Sequence, residues 1–336
     1  MAHKKIFTEA LEDVYSDRLK RKDGFVEVPT SVFIEKVDVY APDLPNIDFY
    51  ILKENKFEVL KSAQESYSPL VLSMHDYIWI KEEYIEHVRS HVEGIILKPN
   101  DATNALPSGK RMEILRRSAI KVVENLFEKP SPEKINKSIK VVKSFVFLIM
   151  KDPKAYLLLT RLSSHDPYTL QHSVGTAVNA IILGKKLKID KETELNDLGL
   201  AGLLHDIGKV RVRKEIINKA GPLTEEEWEE IKKHSREGYE IVKDNSRINF
   251  KSKRAILEHH ESRNGTGYPQ VLKAHQIDLY SKIISICDIF NAITSDRSYA
   301  KAKPIYDAFD FMKNNLEHKI DMEIFKELVL IYGGKI

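Results

Sequence analysis

Seven histidine and aspartate residues in the second half of the sequence could bind metal ions. They are His172, His205, Asp206, His234, His259, His260 and Asp288. Neutral imidazoles and carboxylates are ligands that borderline and hard divalent metals accept. Seven ligands exceed the four of one tetrahedral ion, whereas two ions that share a bridging carboxylate would use them all. Two ions about 3.5–4 Å apart can stabilise the attacking and leaving oxygens of a phosphoryl displacement.

Four of these residues come at the ends of predicted helices. His205 and Asp206 follow a helix with leucines on its inner face, and Gly208 is a stop signal for that helix. His259 and His260 close the stretch RAILEHHE. Adjacent residues stand about 100° apart on a helix, so both rings can face one point only near the helix end.

Two more candidates lie within apolar helical stretches. Asp166 and Pro167 are a plausible N-cap and first residue for the helix that carries His172. Asp288 lies inside SKIISICDIFNAI. A carboxylate on such a face needs a strong partner, because an isolated buried charge is very costly.

His234 continues the apolar face of a helix that begins at PLTEEEW. Thr224 and Glu227 have the spacing of a capping box. Trp228 and Ile231 are predicted on the buried face, with His234 three residues further along it.

Each of these residues, taken singly, has a structural alternative. A histidine on an apolar helix face is more often a hydrogen-bonded core residue, and a lone aspartate there more often pairs with arginine or caps a neighbouring helix. The dipeptides HD and HH also occur by chance. The hypothesis of a metal site therefore depends on five histidines and two aspartates occurring together on inner faces or ends of helices.

Two motifs, HDIGK at 205–209 and HHESRNGTGYP at 259–269, resemble those of the HD-GYP family, a branch of the HD phosphohydrolase superfamily. The resemblance runs from HDPYTLQHS at 165 to ITSDRSY at 299, and it includes GPLTEEEW, His234 and Asp288. It implies a cyclic-di-GMP phosphodiesterase that produces pGpG and often GMP. It also implies an all-helical bundle around two or three metal ions, frequently iron or manganese.

The resemblance assigns the metal ligands to two ions. The first would be held by His172, His205, Asp206 and Asp288. Asp206 would bridge to the second, whose other ligands would be His234, His259 and His260.

It also implies catalytic and substrate-binding residues. Asp206 and Lys209 would be catalytic, and Lys209 would contact either a substrate phosphate or the hydroxide at the metal centre. The implied substrate contacts are Lys209, Gly265, Gly267, Tyr268, Arg297 and Lys301. Lysine and arginine complement phosphate, and glycine lets the backbone approach a bulky ligand.

Several positions depart from the family's pattern. Tyr168 stands where some members carry a glutamate for a third ion, which favours two ions here. Asn264 replaces the usual aspartate, and QVLKAHQI after GYP lacks the usual glycines. Ala300 replaces a frequent arginine, although Lys301 is adjacent. After HDIGK the chain reads VRVRKEII, where the family usually has a Gly and a Pro-Asp. Arg211, Arg213 and Lys214 there could form a phosphate clamp, but a solvated loop edge is the favoured interpretation.

These departures leave a second function open. The chain could be a metal-containing cyclic-dinucleotide receptor or signalling scaffold with weak or no turnover. A general nucleotide phosphohydrolase is a third possibility, which the GYP segment disfavours.

The first part of the chain has a strand-like pattern. Apolar and polar residues alternate in GFVEVPTSVFIE, DFYILKENKFEVL and DYIWIKEEYIE, and PNDATNALPSGK at 99–110 has the composition of a linker. Apolar residues then recur at spacings of three and four. We therefore predict an α+β protein with a small mixed α/β domain at 1–108, connecting helices at 109–150 and an all-helical HD-GYP-type metal-binding domain at 151–336.

The function of the N-terminal domain is less defined by its sequence. It has neither the phosphoacceptor pattern of a receiver domain nor a glycine-rich phosphate loop. A regulatory or interaction domain that binds a signalling protein is the expectation. Tyr77, Trp79 and Tyr84 could form its docking surface, although Trp79 is the one favoured as core.

Composition limits the other classes of function. The 53 basic and 50 acidic residues give a net charge of +3, which disfavours a protein that binds nucleic acid polymers. The single cysteine, Cys287, fits a reducing compartment. The most apolar run, SFVFLIM, is far shorter than the roughly 20 residues that span a bilayer, and the N-terminus lacks the apolar segment of a secretory signal. We expect a cytoplasmic protein without membrane insertion.

Overall fold

The computed structural model describes residues 19–30, 47–63, 74–75, 77–88, 108–152, 168–219, 221–295 and 302–334. The chain separates into two compact units, Met1–Ile114 and Leu115–Ile336. The first contains an antiparallel sheet and the second is helical, so the predicted α+β class is confirmed. The finer division at residues 108 and 150 remains a prediction.

The described part of the first unit contains a five-stranded sheet in the order β1-β2-β5-β3-β4. Its strands are β1 (Arg21–Lys22), β2 (Phe25–Pro29), β3 (Phe49–Lys53), β4 (Lys56–Lys61) and β5 (Tyr77–Lys81). All the pairings are antiparallel. The three stretches with alternating polarity therefore do contain strands, as predicted.

Two-residue turns fix the register of both hairpins. Asp23 and Gly24 join β1 to β2, and Glu54 and Asn55 join β3 to β4. All four residues have positive φ, between 45° and 79°. This is the backbone of a type I′ turn, whose twist matches that of the flanking strands.

One face of the sheet carries the buried side chains of Val26, Val28, Ile78 and Ile80, and the other face is aromatic. Tyr50, Phe25, Phe57 and Trp79, in that order, form a chain of ring contacts with centroid separations of 4.9, 3.9 and 5.3 Å. Trp79 is buried, as the core interpretation expected, whereas Tyr77 is 49% exposed.

Eleven helices make up the described part of the second unit and the segment that leads into it. They are α1 (Ser108–Glu128), α2 (Pro132–Lys151), α3 (Tyr168–Lys186), α4 (Glu192–Leu204), α5 (Lys214–Ile217), α6 (Glu225–Lys232), α7 (His234–Val242), α8 (Phe250–Glu258), α9 (Leu279–Thr294), α10 (Ile305–Leu316) and α11 (Met322–Tyr332). None of the helices in the described ranges is both long and apolar enough to cross a membrane.

Side-chain caps define several helix starts. Ser131, Asn249 and Asp278 accept backbone N–H bonds at the beginnings of α2, α8 and α9. The predicted capping box is present, because Thr224 and Glu227 each bond to the other's backbone N–H. These caps begin the helices at positions that the sequence alone specifies.

The helix predicted to run from PLTEEEW through His234 is interrupted. α6 ends at Lys232, and His234 is the first residue of α7. None of the α6 residues is buried, and Trp228 is 47% exposed, so the predicted burial of Trp228 is wrong. The break lets α6 remain on the surface, where Lys232 lies over the Trp228 ring, while His234 begins a helix that enters the core.

Candidate metal centre

The structure brings the seven predicted ligands together from five helices. His205 and Asp206 directly follow α4, and His259 and His260 directly follow α8. His234 begins α7. The remaining two, His172 and Asp288, lie within α3 and α9. The proposed caps of α3, Asp166 and Pro167, lie outside the described residues.

Helix packing explains why the polar residues converge. α4 is buried along its last turns, and α3, α8 and α9 all pack against it. Residues at its carboxyl end therefore enter the interior of the bundle. His205, Asp206, His234 and His259 are each at most 1% exposed. The predicted inner-face leucines of α4, Leu195, Leu198 and Leu203, are fully buried.

The side chains form two groups with ligand geometry. In one group, ligand atoms of His172, His205 and Asp206 all lie within 4.8 Å of one another. In the other, the same is true of His234, His259 and His260. Asp288 is close to the first group, with its Oδ1 2.9 Å from His172 Nε2.

Both carboxylates extend between the two groups. Asp206 Oδ2 lies 3.4 Å from His205 Nε2, while Asp206 Oδ1 lies 3.4 Å from His234 Nε2. Asp288 directs its Oδ1 to His172 and its Oδ2 towards His260 Nδ1, 3.9 Å away. A bridging position was expected for Asp206 only, and the position of Asp288 is additional.

The protonation states of the His234 and His259 rings indicate whether a cation could be bound between them. Each Nδ1 lies within hydrogen-bond distance of a carbonyl oxygen in the preceding turn, at 2.6 Å from Ile231 O and 2.8 Å from Ile256 O. Burial lowers the pKa of His234 to about 4, and burial also holds the pKa of His259 well below its usual range. Both rings are therefore neutral near pH 7, with the proton on Nδ1.

The two Nε2 atoms consequently face each other without a proton between them. They are 3.1 Å apart, and each carries a lone pair. Two lone pairs at this distance repel each other, and a bound cation would turn both into ligands. The residues present therefore fit a divalent metal ion.

The acidic residues are ionised in the same interior. Burial alone would raise the pKa of Asp206, but the Lys209 ammonium beside it holds that pKa well below its usual range. For Asp288, the effect of burial is likewise outweighed, here by the hydrogen bond from His172, so that its pKa is lowered. Two buried carboxylates kept ionised are a further feature that a bound cation would complement.

Lys209 lies at the edge of the centre. Its Nζ donates a 2.6 Å hydrogen bond to Asp206 Oδ2, and the side chain is 26% exposed. The ammonium group is thus fixed beside the carboxylate while remaining accessible from the surface. Arg211 and Arg213, further along the same loop, form ion pairs with Glu237 and Glu230.

Gly208 has a different role from the helix stop that its position suggested. α4 already ends at Leu204, and Gly208 lies in the 3-10 helix Ile207–Arg211. A Cβ at this position would overlap His234 O and Gly238 N. The absence of a side chain therefore lets the loop that carries Asp206 and Lys209 lie directly against α7.

The predicted substrate loop covers the second group of histidines. The Tyr268 ring lies on His260, with centroids 4.8 Å apart and planes inclined by 33°. Gly265 has a φ of 75°, and Asn264 Oδ1 accepts bonds from Ser262 and Thr266, which shape the turn. Arg297 and Lys301 lie outside the described residues, so their predicted roles have no structural counterpart here.

Sequence reasoning missed two residues around the centre. Asn291 donates to Thr176 Oγ1 at 3.3 Å and lies 3.5 Å from His172 O, so it joins α9 to the helix that carries His172. Asn291 follows Asp288 by three residues and so lies on the same helix face, which is the signal in the sequence that could have identified it. Glu261 is a buried carboxylate within the motif HHESRNGTGYP, and no role had been assigned to it.

Comparisons with known proteins identify a family and several relatives. The HD domain family matches residues 157–324. The chain is 36% identical over 185 residues to the cyclic di-GMP phosphodiesterase PA4108 of Pseudomonas aeruginosa. These residues make up 55% of this chain and 44% of the relative. It is also 36% identical over 167 residues to 3′3′-cGAMP-specific phosphodiesterase 3 of Vibrio cholerae, and this match covers 50% of this chain and 36% of the relative. The chain thus spans less than half the length of these relatives.

One solved structure is similar over most of the chain. Bd1817, an HDG"Y"P protein from Bdellovibrio bacteriovorus, superposes with a TM-score of 0.65 at 20% identity. The match covers 92% of this chain and 100% of that chain. At this identity, the similarity supports a common fold.

Proposed function

The chain belongs to the HD domain family, in its HD-GYP branch, and we propose that it is a metal-dependent phosphodiesterase that hydrolyses cyclic di-GMP to pGpG, GMP or both. The observation that carries this proposal is the pair of neutral imidazoles at His234 and His259, whose Nε2 atoms face each other at 3.1 Å. A divalent cation between them would turn both nitrogens into ligands, and the relatives are named as phosphodiesterases.

We further propose two divalent ions, of iron or manganese. His172, His205, Asp206 and Asp288 would hold the first. Asp206, His234, His259 and His260 would hold the second. Support comes from the two ligand groups and from Asp206, whose two oxygens face one group each.

The ions would supply Lewis-acid charge and promote the ionisation of water beside the phosphate. The protein's own residues would orient and neutralise the substrate. Ionised Asp206 presents its oxygens to both ligand groups, and the Lys209 ammonium lies 2.6 Å from it at the accessible edge. A phosphate that approaches this edge would meet a fixed positive charge before the developing negative charge forms, which is the arrangement that lowers a barrier most.

The substrate would be bound on the side of Tyr268. This ring covers His260 and would limit access of water to the centre. The backbone of Gly265 and Gly267 would complete the wall, and Arg297 and Lys301 would contact the dinucleotide. The last two roles rest on the sequence motif.

The receptor alternative is not favoured. A metal-containing receptor would also keep the seven ligands, but it would not need a lysine held against the bridging carboxylate, and this lysine is present. For the first unit we propose a regulatory role through a signalling protein. Its support is the aromatic face of the sheet, at which Tyr77 is exposed.

Metal and product analysis would test the proposal. The full chain is purified without oxygen, its iron and manganese are measured, and it is incubated with cyclic di-GMP and separately with 3′3′-cGAMP. We expect two ions per chain and linear products from cyclic di-GMP. Metal-loaded protein that leaves both dinucleotides intact would contradict the proposed activity, and preferential cleavage of 3′3′-cGAMP would correct the substrate.

A further inference from the structure

A buried carboxylate closes the loop that follows the paired histidines. Glu261 is 5% exposed, and it directs both oxygens at the backbone further along the chain. Oε1 accepts a 2.6 Å hydrogen bond from Gln270 N, and Oε2 accepts a 2.9 Å bond from Leu272 N. One side chain thus holds the two amides that flank Val271.

Val271 has the backbone conformation that a β-branched residue avoids most. Its φ is 58°, in the left-handed region. In a valine this conformation is a true outlier that persists only where surrounding structure imposes it. The side chain is 61% exposed, so its packing offsets little of the strain. The two charge-assisted bonds from Glu261 are the contacts that impose the conformation.

The same loop is anchored at its other end by contacts with the residues around Glu261. Tyr268 N donates a 3.2 Å bond to His260 O. The backbone of Gly267 lies so close to Glu261 and Ser262 that a Cβ there would overlap both. Tyr268 is therefore fixed between the His260 carbonyl on one side and the segment that Glu261 holds on the other.

We propose that Glu261 is a positioning residue: its carboxylate holds residues 270–272, with Val271 in the left-handed conformation, and so keeps the Tyr268 ring over the centre. This inference rests on the proposed function in one respect, namely that Tyr268 forms the substrate wall. The clamp itself is a statement about the loop and holds or fails without any activity.

A positioning role and a merely stabilising one predict different behaviour at Val271. If the carboxylate serves to oppose the strain, the need for it disappears once glycine, which adopts positive φ freely, replaces valine. The two substitutions should then be coupled. If Glu261 only contributes to stability, the effect of Val271→Gly should be the same with and without it.

The experiment compares four variants of the full chain with the parent: Glu261→Gln, Val271→Gly, the double variant, and Glu258→Gln as a matched control. Glu258 is also a buried carboxylate, but its bonds go to Arg254, Ser281 and the Asp278 backbone. The readouts are metal content, KM and kcat for cyclic di-GMP, and amide hydrogen exchange resolved at Tyr268. The Tyr268 amide reports the loop position without donating to Glu261.

Glu261→Gln should keep the parent's metal content, raise KM about tenfold with a smaller change in kcat, and accelerate exchange at the Tyr268 amide. Adding Val271→Gly should bring KM back to within about threefold of the parent and restore protection of that amide. Glu258→Gln should lower the melting temperature while leaving protection at Tyr268 unchanged.

Two results would overturn the clamp. One is parent-like exchange at Tyr268 in Glu261→Gln. The other is an effect of Val271→Gly that is equal in both backgrounds. If the parent cleaves no cyclic dinucleotide, the proposed function fails, and the exchange data alone still decide whether Glu261 positions the loop.

Discussion

His260 differs from the other histidines of its group in being partly open to solvent. Its side chain is 27% exposed, and Tyr268 covers its ring. A ligand atom of His260 lies within 4.8 Å of ligand atoms of His234 and His259, which places it where an ion of the second group would be bound. This residue therefore tests the metal assignment with less disturbance of the core than a fully buried ligand would cause.

We expect His260→Ala to lose one of the two ions and to abolish hydrolysis at the same time. The physical reason is that removing one of the few ligands lowers the affinity for that ion, on which the reaction depends. Elemental analysis and product formation, measured on the same preparation, check this. A parent-like metal count would return the paired histidines to a packing role.

Tyr268→Phe is the matched contrast, because it keeps the ring and removes only the hydroxyl group. We expect it to retain both ions and to lose binding or rate worth about 1 kcal/mol, the typical value of one neutral hydrogen bond. Metal content and the separate values of KM and kcat measure this. Loss of an ion in this variant would mean that the tyrosine supports the metal centre rather than the substrate.

Lys209 separates charge stabilisation from metal binding. Lys209→Ala should leave the metal content unchanged and lower kcat by about 10²-fold, as removal of one electrostatic donor typically does. Lys214→Ala is the control, because Lys214 is an exposed lysine five residues further along the chain and should behave like the parent. If Lys209→Ala instead lost metal, the lysine would serve to keep Asp206 in place.

At the scale of elements, the centre depends on how closely the segment after α4 approaches α7. Gly208 provides that approach, because its Cα lies against the backbone of His234 and Gly238. A methyl group here meets backbone atoms, which cannot move without displacing α7 itself. Asp206 and His234, the residues that join the two ligand groups, lie on either side of this contact.

We therefore expect Gly208→Ala to lower the melting temperature and the metal content together, with a destabilisation of about 1–3 kcal/mol, the usual range for overpacking. Gly221→Ala is the control, since nothing lies within 4 Å of the position that its Cβ would occupy. Thermal unfolding and elemental analysis of both variants give the comparison. Equal melting temperatures and metal contents in the two variants would show that α7 can shift to accommodate the methyl group without loss of stability.

The break between α6 and α7 shows where helical periodicity stops being informative. Trp228, Ile231 and His234 have the spacing of one continuous face, yet only His234 is buried. Periodicity reports which residues could share a face, and it contains no information on where the axis changes direction. Three glutamates in the first turn and the capping box stabilise the start of α6. No feature of the sequence indicates that the helix ends at Lys232.

For the whole molecule, bound metal should contribute to the free energy of unfolding. The ligands are distributed from His172 to Asp288, so the site exists only when α3, α4, α7, α8 and α9 are assembled. A ligand that binds only the folded state stabilises it by about 2.7 kcal/mol at a concentration 100 times its Kd.

Chelation should accordingly lower the melting temperature, and re-addition of Fe²⁺ without oxygen, or of Mn²⁺, should restore it. The increase should depend on metal concentration and should be smaller in His260→Ala, which lacks one ligand. Calorimetry with a metal titration measures both. A melting temperature that does not respond to metal, in protein shown to be metal-free, would argue against the centre.

The sequence by itself determined which residues could do chemistry and which elements carry them. Strand alternation and the Thr224 capping box are local signals, and the structure contains both of them. Ligand types are also local, because an imidazole or a carboxylate is a potential ligand wherever it stands. The seven ligand candidates were therefore identifiable without coordinates.

Only the tertiary structure decided what those residues face. The 3.1 Å approach of His234 Nε2 to His259 Nε2, the span of Asp288 across both groups and the clamp from Glu261 to the backbone beside Val271 each join atoms from segments that are separate in the chain. Such distances follow from helix ends, crossing points and close contacts such as that at Gly208, and these depend on the packing of the whole core. Residue type and spacing constrain the local backbone, whereas convergence is a property of the assembled bundle.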